Sequence, residues 1–200
     1  MKVSRSCHGI VKNEGEREML RVKPITKKME GFNLIKEVYT DAFPGREGEP
    51  ISFLLANAKK GITKFEAYYD EEKFVGLSAV SSQGDFTYVQ AIAVTPAGRG
   101  EGYGSQILSY IKETHPQNRI VLNLEVQDEG AKNAEQRKRR KEFYLKNGYV
   151  STGIYAHIAG NDLETMVING TCTAEELRRY LRKYYGFIIS KLIKVKVWEE

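Results

Sequence analysis

Apolar residues recur at helical spacing in two segments near the start of the chain. The first segment runs from Phe32 to Tyr39 and is ended by Pro44, and the second follows Pro50 and ends near Gly61. A proline is tolerated at the first position of a helix, and a glycine is favoured just beyond its last turn. The pattern therefore predicts two short helices in succession.

Other segments of the first half have the pattern of β-strands. Residues 19–25 are strand-like, and residues 64–70 and 73–82 flank a charged turn, which is typical of an antiparallel hairpin. Residues 86–94 are almost entirely apolar at their end, as expected of a central strand that is covered on both faces.

Helices and strands continue through the second half. Residues 102–115 predict a helix that Pro116 ends, and residues 119–126 predict a strand, so strand, helix and strand form a parallel crossover. A polar helix follows, which we expect Asn133 and Gln136 to open as a capping box and Gly148 to close.

The end of the chain predicts three strands and a helix. Residues 149–158 and 163–168 have strand character, and residues 187–198 are expected to form a terminal strand. Between them, a helix from Thr173 to Tyr185 begins with Thr173 and Glu176 in the spacing of a capping box. The order of elements indicates an α+β fold around one mixed sheet.

Composition narrows the class of protein. The chain has 200 residues, 41% of them hydrophobic, which is enough for the core of one domain. No apolar run approaches the roughly 18 residues of a membrane helix, so we expect no membrane partner. The two cysteines, Cys7 and Cys172, lack metal-ligand and CxxC spacings, which indicates a cytoplasmic location and no bound metal. The net charge of +5 suits anionic ligands such as nucleotides without requiring nucleic acid.

The segment AIAVTPAGRGEGYGSQIL places a glycine-rich loop between a buried strand and a helix. Glycines let the backbone approach a ligand closely, and the free amides at a helix N-terminus bind anions with help from the helix dipole. Arg99 adds a cation suited to phosphate. The loop therefore predicts a pyrophosphate site.

Two other phosphate-binding loops are disfavoured. A P-loop requires Lys followed by Ser or Thr, which this loop lacks. A dinucleotide fingerprint requires G-x-G-x-x-G in a parallel sheet, whereas the glycines here are Gly100, Gly102 and Gly104 and a hairpin precedes them. A turn whose glycines serve only geometry is the remaining alternative.

The stretch Arg99 to Gly104 resembles the Q/R-x-x-G-x-G/A motif of the GNAT N-acetyltransferase superfamily. The preceding strand AIAVTP, the order of elements and the later FYLKNGY also agree, and the resemblance covers residues 20–168. The segment DAFPGREGEP is similar to a bacterial subgroup without established substrates. The resemblance implies a mostly antiparallel sheet, flanked by helices, in which the fourth and fifth strands are parallel and splay apart.

The resemblance also implies how acetyl-CoA would bind as co-substrate. The strand backbone at Ile92, Ala93 and Val94 would bind the pantetheine arm. The loop amides would hold the pyrophosphate, and they belong to Arg99, Gly100, Glu101, Gly102, Tyr103, Gly104 and Ser105.

Acid and base candidates follow from the same resemblance. Tyr144 in FYLKNGY matches a tyrosine that protonates the coenzyme thiolate, although an aromatic on a helix can also serve packing alone. Many relatives have a glutamate base on the fourth strand, where this chain has Gln90. Glu125, near the end of the fifth strand, is the expected substitute, with Asp85 and Glu66 as alternatives.

A second motif departs from the family pattern. The sequence RKRRKEFY places Arg137 and Arg140 where relatives have an amide or a small residue, and helical spacing places both on one face with Tyr144. These arginines either contact coenzyme phosphate or an acidic acceptor, or form a solvated basic face.

The resemblance implies an acetyl-CoA-dependent N-acetyltransferase that acetylates a primary amine by direct attack in a ternary complex. A non-catalytic acyl-CoA sensor is the alternative, and nucleic-acid binding by residues 137–141 is a weaker one. We expect residues 1–18 to be a leader outside the fold, residues 19–168 to be the N-acetyltransferase domain, and residues 169–200 to extend the same domain. This extension would cover a sheet edge or form a homodimer contact.

Overall fold

The computed structural model describes residues 20–44 and 48–199. The leader expected at residues 1–18 lies outside the described residues.

Eight strands in the described part of the chain form one sheet. They are β1 (Arg21–Pro24), β2 (Lys64–Asp70), β3 (Lys73–Gln83), β4 (Phe86–Val94), β5 (Arg119–Glu125), β6 (Val150–Ile158), β7 (Asn161–Ile168) and β8 (Lys196–Glu199). Their order across the sheet is β1-β2-β3-β4-β5-β7-β6-β8. Neighbouring strands are antiparallel except β4 and β5, which are parallel. The predicted mixed sheet with one parallel pair is confirmed.

Five α-helices among the described residues pack on the two faces of this sheet. They are α1 (Phe32–Ala42), α2 (Ile51–Lys59), α3 (Tyr103–Thr114), α4 (Ala134–Lys146) and α5 (Ala174–Leu192). Side chains of β5 show the division, because Ile120 and Leu122 pack with α3 whereas Val121 packs with α5. Helices α3 and α4 therefore cover one face, and α1, α2 and α5 cover the other.

The parallel pair separates partway along its length. β4 and β5 are paired from Phe86 and Arg119 as far as Val89 and Leu122, and their pairing ends there. At the same position β4 carries a bulge: Val80 of β3 faces Val89 and Ala79 faces Ala91, so that Gln90 is the extra residue. The splay implied by the family resemblance thus begins at Gln90.

The C-terminal segment differs from its prediction. Residues 187–192 continue α5 through Gly186, whose φ of 74° kinks the helix, and only Lys196–Glu199 forms a strand. A short apolar run does not distinguish helix from strand, which explains the error. β8 pairs with β6 and so covers a sheet edge.

The two predicted capping boxes had different outcomes. The one at Thr173 and Glu176 is present. The one at Asn133 is wrong, because the Asn133 side chain makes no cap hydrogen bond and instead contacts Glu125 and Arg137. In the stretches 20–44 and 48–199, no helix combines the length and apolar character that crossing a membrane requires.

Candidate active site

The glycine-rich loop joins β4 to α3 and leaves the start of α3 open. Gly100 and Gly102 have φ values of 86° and 84°, a left-handed conformation that favours glycine. Gly102 caps α3 without a side-chain hydrogen bond, and the amides of the first turn have no preceding helical carbonyl. A Cβ on Gly104 would lie 3.0 Å from the Phe143 ring, so this position also requires a small residue. The loop has the geometry of an anion cradle.

A cavity of about 1050 Å³ lies where β4 and β5 separate. Its wall includes the predicted pantetheine segment Ile92–Val94 and the predicted pyrophosphate ligand Arg99. Tyr144 and Glu125, the predicted acid and base, line the same cavity. The structure therefore brings the main candidates of the sequence together around one space.

Arg99 is held at the mouth of this cavity by an acidic partner. Its guanidinium donates to Asp41 of α1 at 2.6 Å, and both side chains remain more than half exposed. Since an exposed ion pair is worth at most about 1 kcal/mol, a phosphate could replace Asp41 at low cost. Tyr103, another residue of the loop, donates its hydroxyl to Asp70 at 2.6 Å.

Tyr144 lies on the face of α4 that points at the cavity. Its ring packs edge-on against Phe143 and Tyr149. Burial raises the pKa of its hydroxyl, with a smaller opposing effect of Arg140. A hydroxyl that stays protonated at neutral pH can give its proton to a stronger base.

Glu125 is buried and its carboxylate is already engaged. Oε1 accepts a hydrogen bond from Asn133 at 2.8 Å and lies 3.3 Å from Nε of Arg137, and Oε2 pairs with Arg140. Arg137 also donates to the backbone carbonyl of Val126 at 2.9 Å. Both arginines of the second motif thus contact Glu125, not a solvated surface alone.

The other base candidates lie elsewhere. Asp85 is exposed and pairs with Arg119 at 3.0 Å, and Glu66 does not belong to the cavity wall. Gln90 lines the cavity, and its amide nitrogen donates to Ser81 and to Tyr180. Its Oε1 is buried and has no hydrogen-bond partner in the part of the chain that the structure describes.

Sequence reasoning missed Glu49, which lies between α1 and α2 on the cavity wall. Its Oε2 accepts from the Tyr184 hydroxyl and its Oε1 from the Tyr185 hydroxyl, both at 2.8 Å. Burial raises the pKa of the Glu49 carboxyl to about 7, although the two tyrosine hydrogen bonds act in the opposite direction. The segment DAFPGREGEP contained Glu49, but no periodic pattern indicated that it would be covered by α5.

A family model matches the central part of the chain. Residues 62–151 match the family model described as an acetyltransferase (GNAT) domain. No curated protein sequence matches the chain. The matched residues contain the hairpin, the parallel pair, the glycine-rich loop and all of α4, and the match confirms the recognition made from the loop.

Solved structures share the fold. A GNAT-family protein from Bacteroides thetaiotaomicron is 24% identical, with a TM-score of 0.66 over 88% of this chain and 99% of that chain. An aminoglycoside 6'-N-acetyltransferase complexed with coenzyme A is 15% identical, with a TM-score of 0.59 over 74% and 96%. A GNAT family acetyltransferase from Elizabethkingia anophelis with acetyl-CoA bound is 14% identical, with a TM-score of 0.54 over 76% and 98%. At these identities the likeness establishes the fold.

Proposed function

We propose that this protein transfers an acetyl group from acetyl-CoA to a primary amine by direct attack in a ternary complex. The observation that carries the proposal is one cavity that extends from the separated strands β4 and β5 to Arg99, the first residue of the glycine-rich loop. A slot between strands and an adjacent anion cradle suit a long ligand with a diphosphate at one end.

The residues present fit such a ligand. The uncapped start of α3 supplies amides for the diphosphate, and Arg99 supplies a cation. Asn123 lines the slot on β5, and neither polar atom of its buried amide has a partner in residues 20–44 and 48–199. Such an unpaired amide can hydrogen-bond the amide groups of a pantetheine arm, as can the backbone at Ile92–Val94.

The chemistry consists of one bond exchange, one proton transfer to sulfur and the loss of protons from the amine nitrogen. The amine nitrogen attacks the thioester carbonyl carbon, a C–N bond forms and the C–S bond breaks. Tyr144 donates its hydroxyl proton to the departing thiolate and regains a proton from the amine nitrogen; its raised pKa keeps the hydroxyl protonated at neutral pH before the transfer. Glu125 acts in this proposal as a positioning residue, since its carboxylate fixes Arg140 and Asn133 of the α4 region beside Tyr144.

Calorimetry and turnover test this proposal together. We expect heat on titration with acetyl-CoA and with CoA, and acetylation of at least one amine in a broad panel. Tyr144→Phe should keep CoA affinity and lower kcat by about 10- to 100-fold, because only the proton transfer is lost. Absence of heat from both ligands refutes the proposal, whereas heat without turnover favours the acyl-CoA sensor.

The proposal includes a cytoplasmic location and an acceptor that carries a primary amine. A homodimer is also part of it, supported by the exposed side chains of Phe187, Ile188 and Leu192 after the kink in α5. Size-exclusion chromatography with light scattering tests the dimer, and a monomer at all accessible concentrations would contradict it.

A further inference from the structure

Glu49 occupies a distinctive place in the cavity wall. It lies on the segment that joins α1 to α2, and its carboxylate contacts two consecutive tyrosines of α5. Tyr39 of α1 holds the backbone of Glu49, because its hydroxyl donates to the Glu49 carbonyl at 2.6 Å. Glu49 is therefore held by α1 and α5, and it lines the cavity whose wall also includes Gln90 and Tyr144.

The titratable groups that the structure describes around this carboxylate are neutral tyrosines. Five tyrosines interact with it electrostatically, namely Tyr39 of α1, Tyr88 of β4, and Tyr180, Tyr184 and Tyr185 of α5. Among the described residues, Glu49 forms no ion pair. Burial without a cation makes the carboxylate readily protonated.

Glu125 has the opposite surroundings. Two arginines and an asparagine bind its oxygens, so protonation would sacrifice two ion pairs. A carboxylate in that position stabilises its neighbours and is poorly suited to accept a proton. Three described carboxylates line the cavity: Asp41 pairs with Arg99 and Glu125 with two arginines, so that Glu49 is the one among them without an ion pair.

We propose that Glu49 is the general base that deprotonates the acceptor's ammonium group in the acetyl transfer. The inference rests on the proposed function and assigns the base to the α1–α2 segment, not to β4 or β5. The burial that raises the pKa of Glu49 to about 7 also makes it an efficient base near neutral pH.

The proton balance is complete with the residues present. Glu49 takes one proton from the ammonium, which leaves a neutral amine, and releases it to solvent after the reaction. When the C–N bond forms and the C–S bond breaks, nitrogen loses a second proton, and sulfur gains one from Tyr144. The tyrosinate recovers its proton from the nitrogen, directly or through water.

The wall beside Glu49 suggests which amine to use as a probe. Phe53 stacks on Tyr185 with ring centroids 6.1 Å apart, and Ile189, beyond the kink in α5, lines the same cavity. An arylalkylamine such as 2-phenylethylamine combines an ammonium group for Glu49 with an apolar body for these side chains. The amine panel should therefore contain it alongside alkylamines and polyamines.

The test compares Glu49→Gln with Glu113→Gln, a matched change at an exposed residue at the end of α3. With the best amine of the panel, we expect Glu49→Gln to lose at least about 100-fold in kcat/KM and to lose the acidic limb of the pH profile. Its affinity for CoA should be unchanged, which separates loss of the base from misfolding. Glu49→Asp should retain part of the activity and the limb.

Two results would overturn the assignment. One is a Glu49→Gln variant with the wild-type kcat/KM and pH profile. The other needs no acceptor: carbon-13 NMR of glutamate-labelled protein, with Glu49→Gln to assign the signal, should show the carboxyl titrating near neutral pH, and titration at the ordinary value of 4.5 refutes the role. A wild-type chain that binds neither acetyl-CoA nor CoA refutes the proposed function itself, so the two failures are distinguishable.

Discussion

Glu49 should make the stability of the fold depend on pH. Burial raises its pKa from 4.5 to about 7, so the folded chain binds this proton more tightly than the unfolded chain does. The stabilising contribution is fully present below the unfolded pKa and is lost as the pH rises through about 7. Replacement by glutamine removes the titration and preserves a hydrogen-bond acceptor for one of the two tyrosine hydroxyls.

The size of the effect follows from the same two values. Each unit of difference in pKa between the folded and unfolded states corresponds to about 1.4 kcal/mol, so the step from 4.5 to about 7 corresponds to about 3 kcal/mol. The free energy of unfolding of Glu49→Gln, relative to wild type, should therefore increase by about 3 kcal/mol between about pH 4 and about pH 8.

Urea unfolding followed by circular dichroism at several pH values measures this difference. Glu113→Gln reports the effect of removing an exposed carboxylate, and its profile is subtracted from that of Glu49→Gln. A corrected difference that stays constant across the pH range would show that Glu49 is not buried against α5 as the structure has it. The reasoning about its role as a base would then lose its physical support.

Three further changes test other contacts. Asp41→Asn should raise CoA affinity about two- to fivefold in calorimetry at low salt, because Arg99 is freed for phosphate, and an unchanged affinity would contradict this. Gly76→Ala should lower the free energy of unfolding by about 1–3 kcal/mol in urea titration, since its Cβ would lie 2.6 Å from the Ala93 carbonyl; a neutral effect would mean that β3 and β4 can shift. Thr173→Ala removes the capping box of α5 and should cost about 1 kcal/mol in the same assay, whereas Thr173→Ser should cost little.

Local sequence patterns predicted the helices, strands and loops whose conformation is determined by the residues within them. Residues 86–94 have the apolar content of a central strand, and β4 has these bounds. The glycine-rich loop was recognisable because its backbone conformation requires glycine at Gly100 and Gly102. Helical spacing also placed Arg140 and Tyr144 on one face of α4, and both line the cavity.

Contacts between distant segments were not predictable in the same way. Nothing in the sequence indicated that the carboxylate of Glu125 is already bound, and we therefore predicted it to be a base. Its partners Asn133 and Arg140 reach it only when α4 folds over β5. Glu49 meets Tyr185, which follows 136 positions later, and neither residue has a local pattern that reveals this contact. The end of α5 was misread since helix and strand patterns coincide in a short apolar run.

The extra residue in β4 constrains how this protein can evolve. Upstream of Gln90 the strand turns Tyr88 toward α5, and downstream it turns Ala91 toward α1, on the same face. A deletion of one residue here would rotate everything from Ala91 to Val94 onto the wrong side of the sheet. During evolution, the residue type at position 90 can therefore change far more freely than the number of residues in β4.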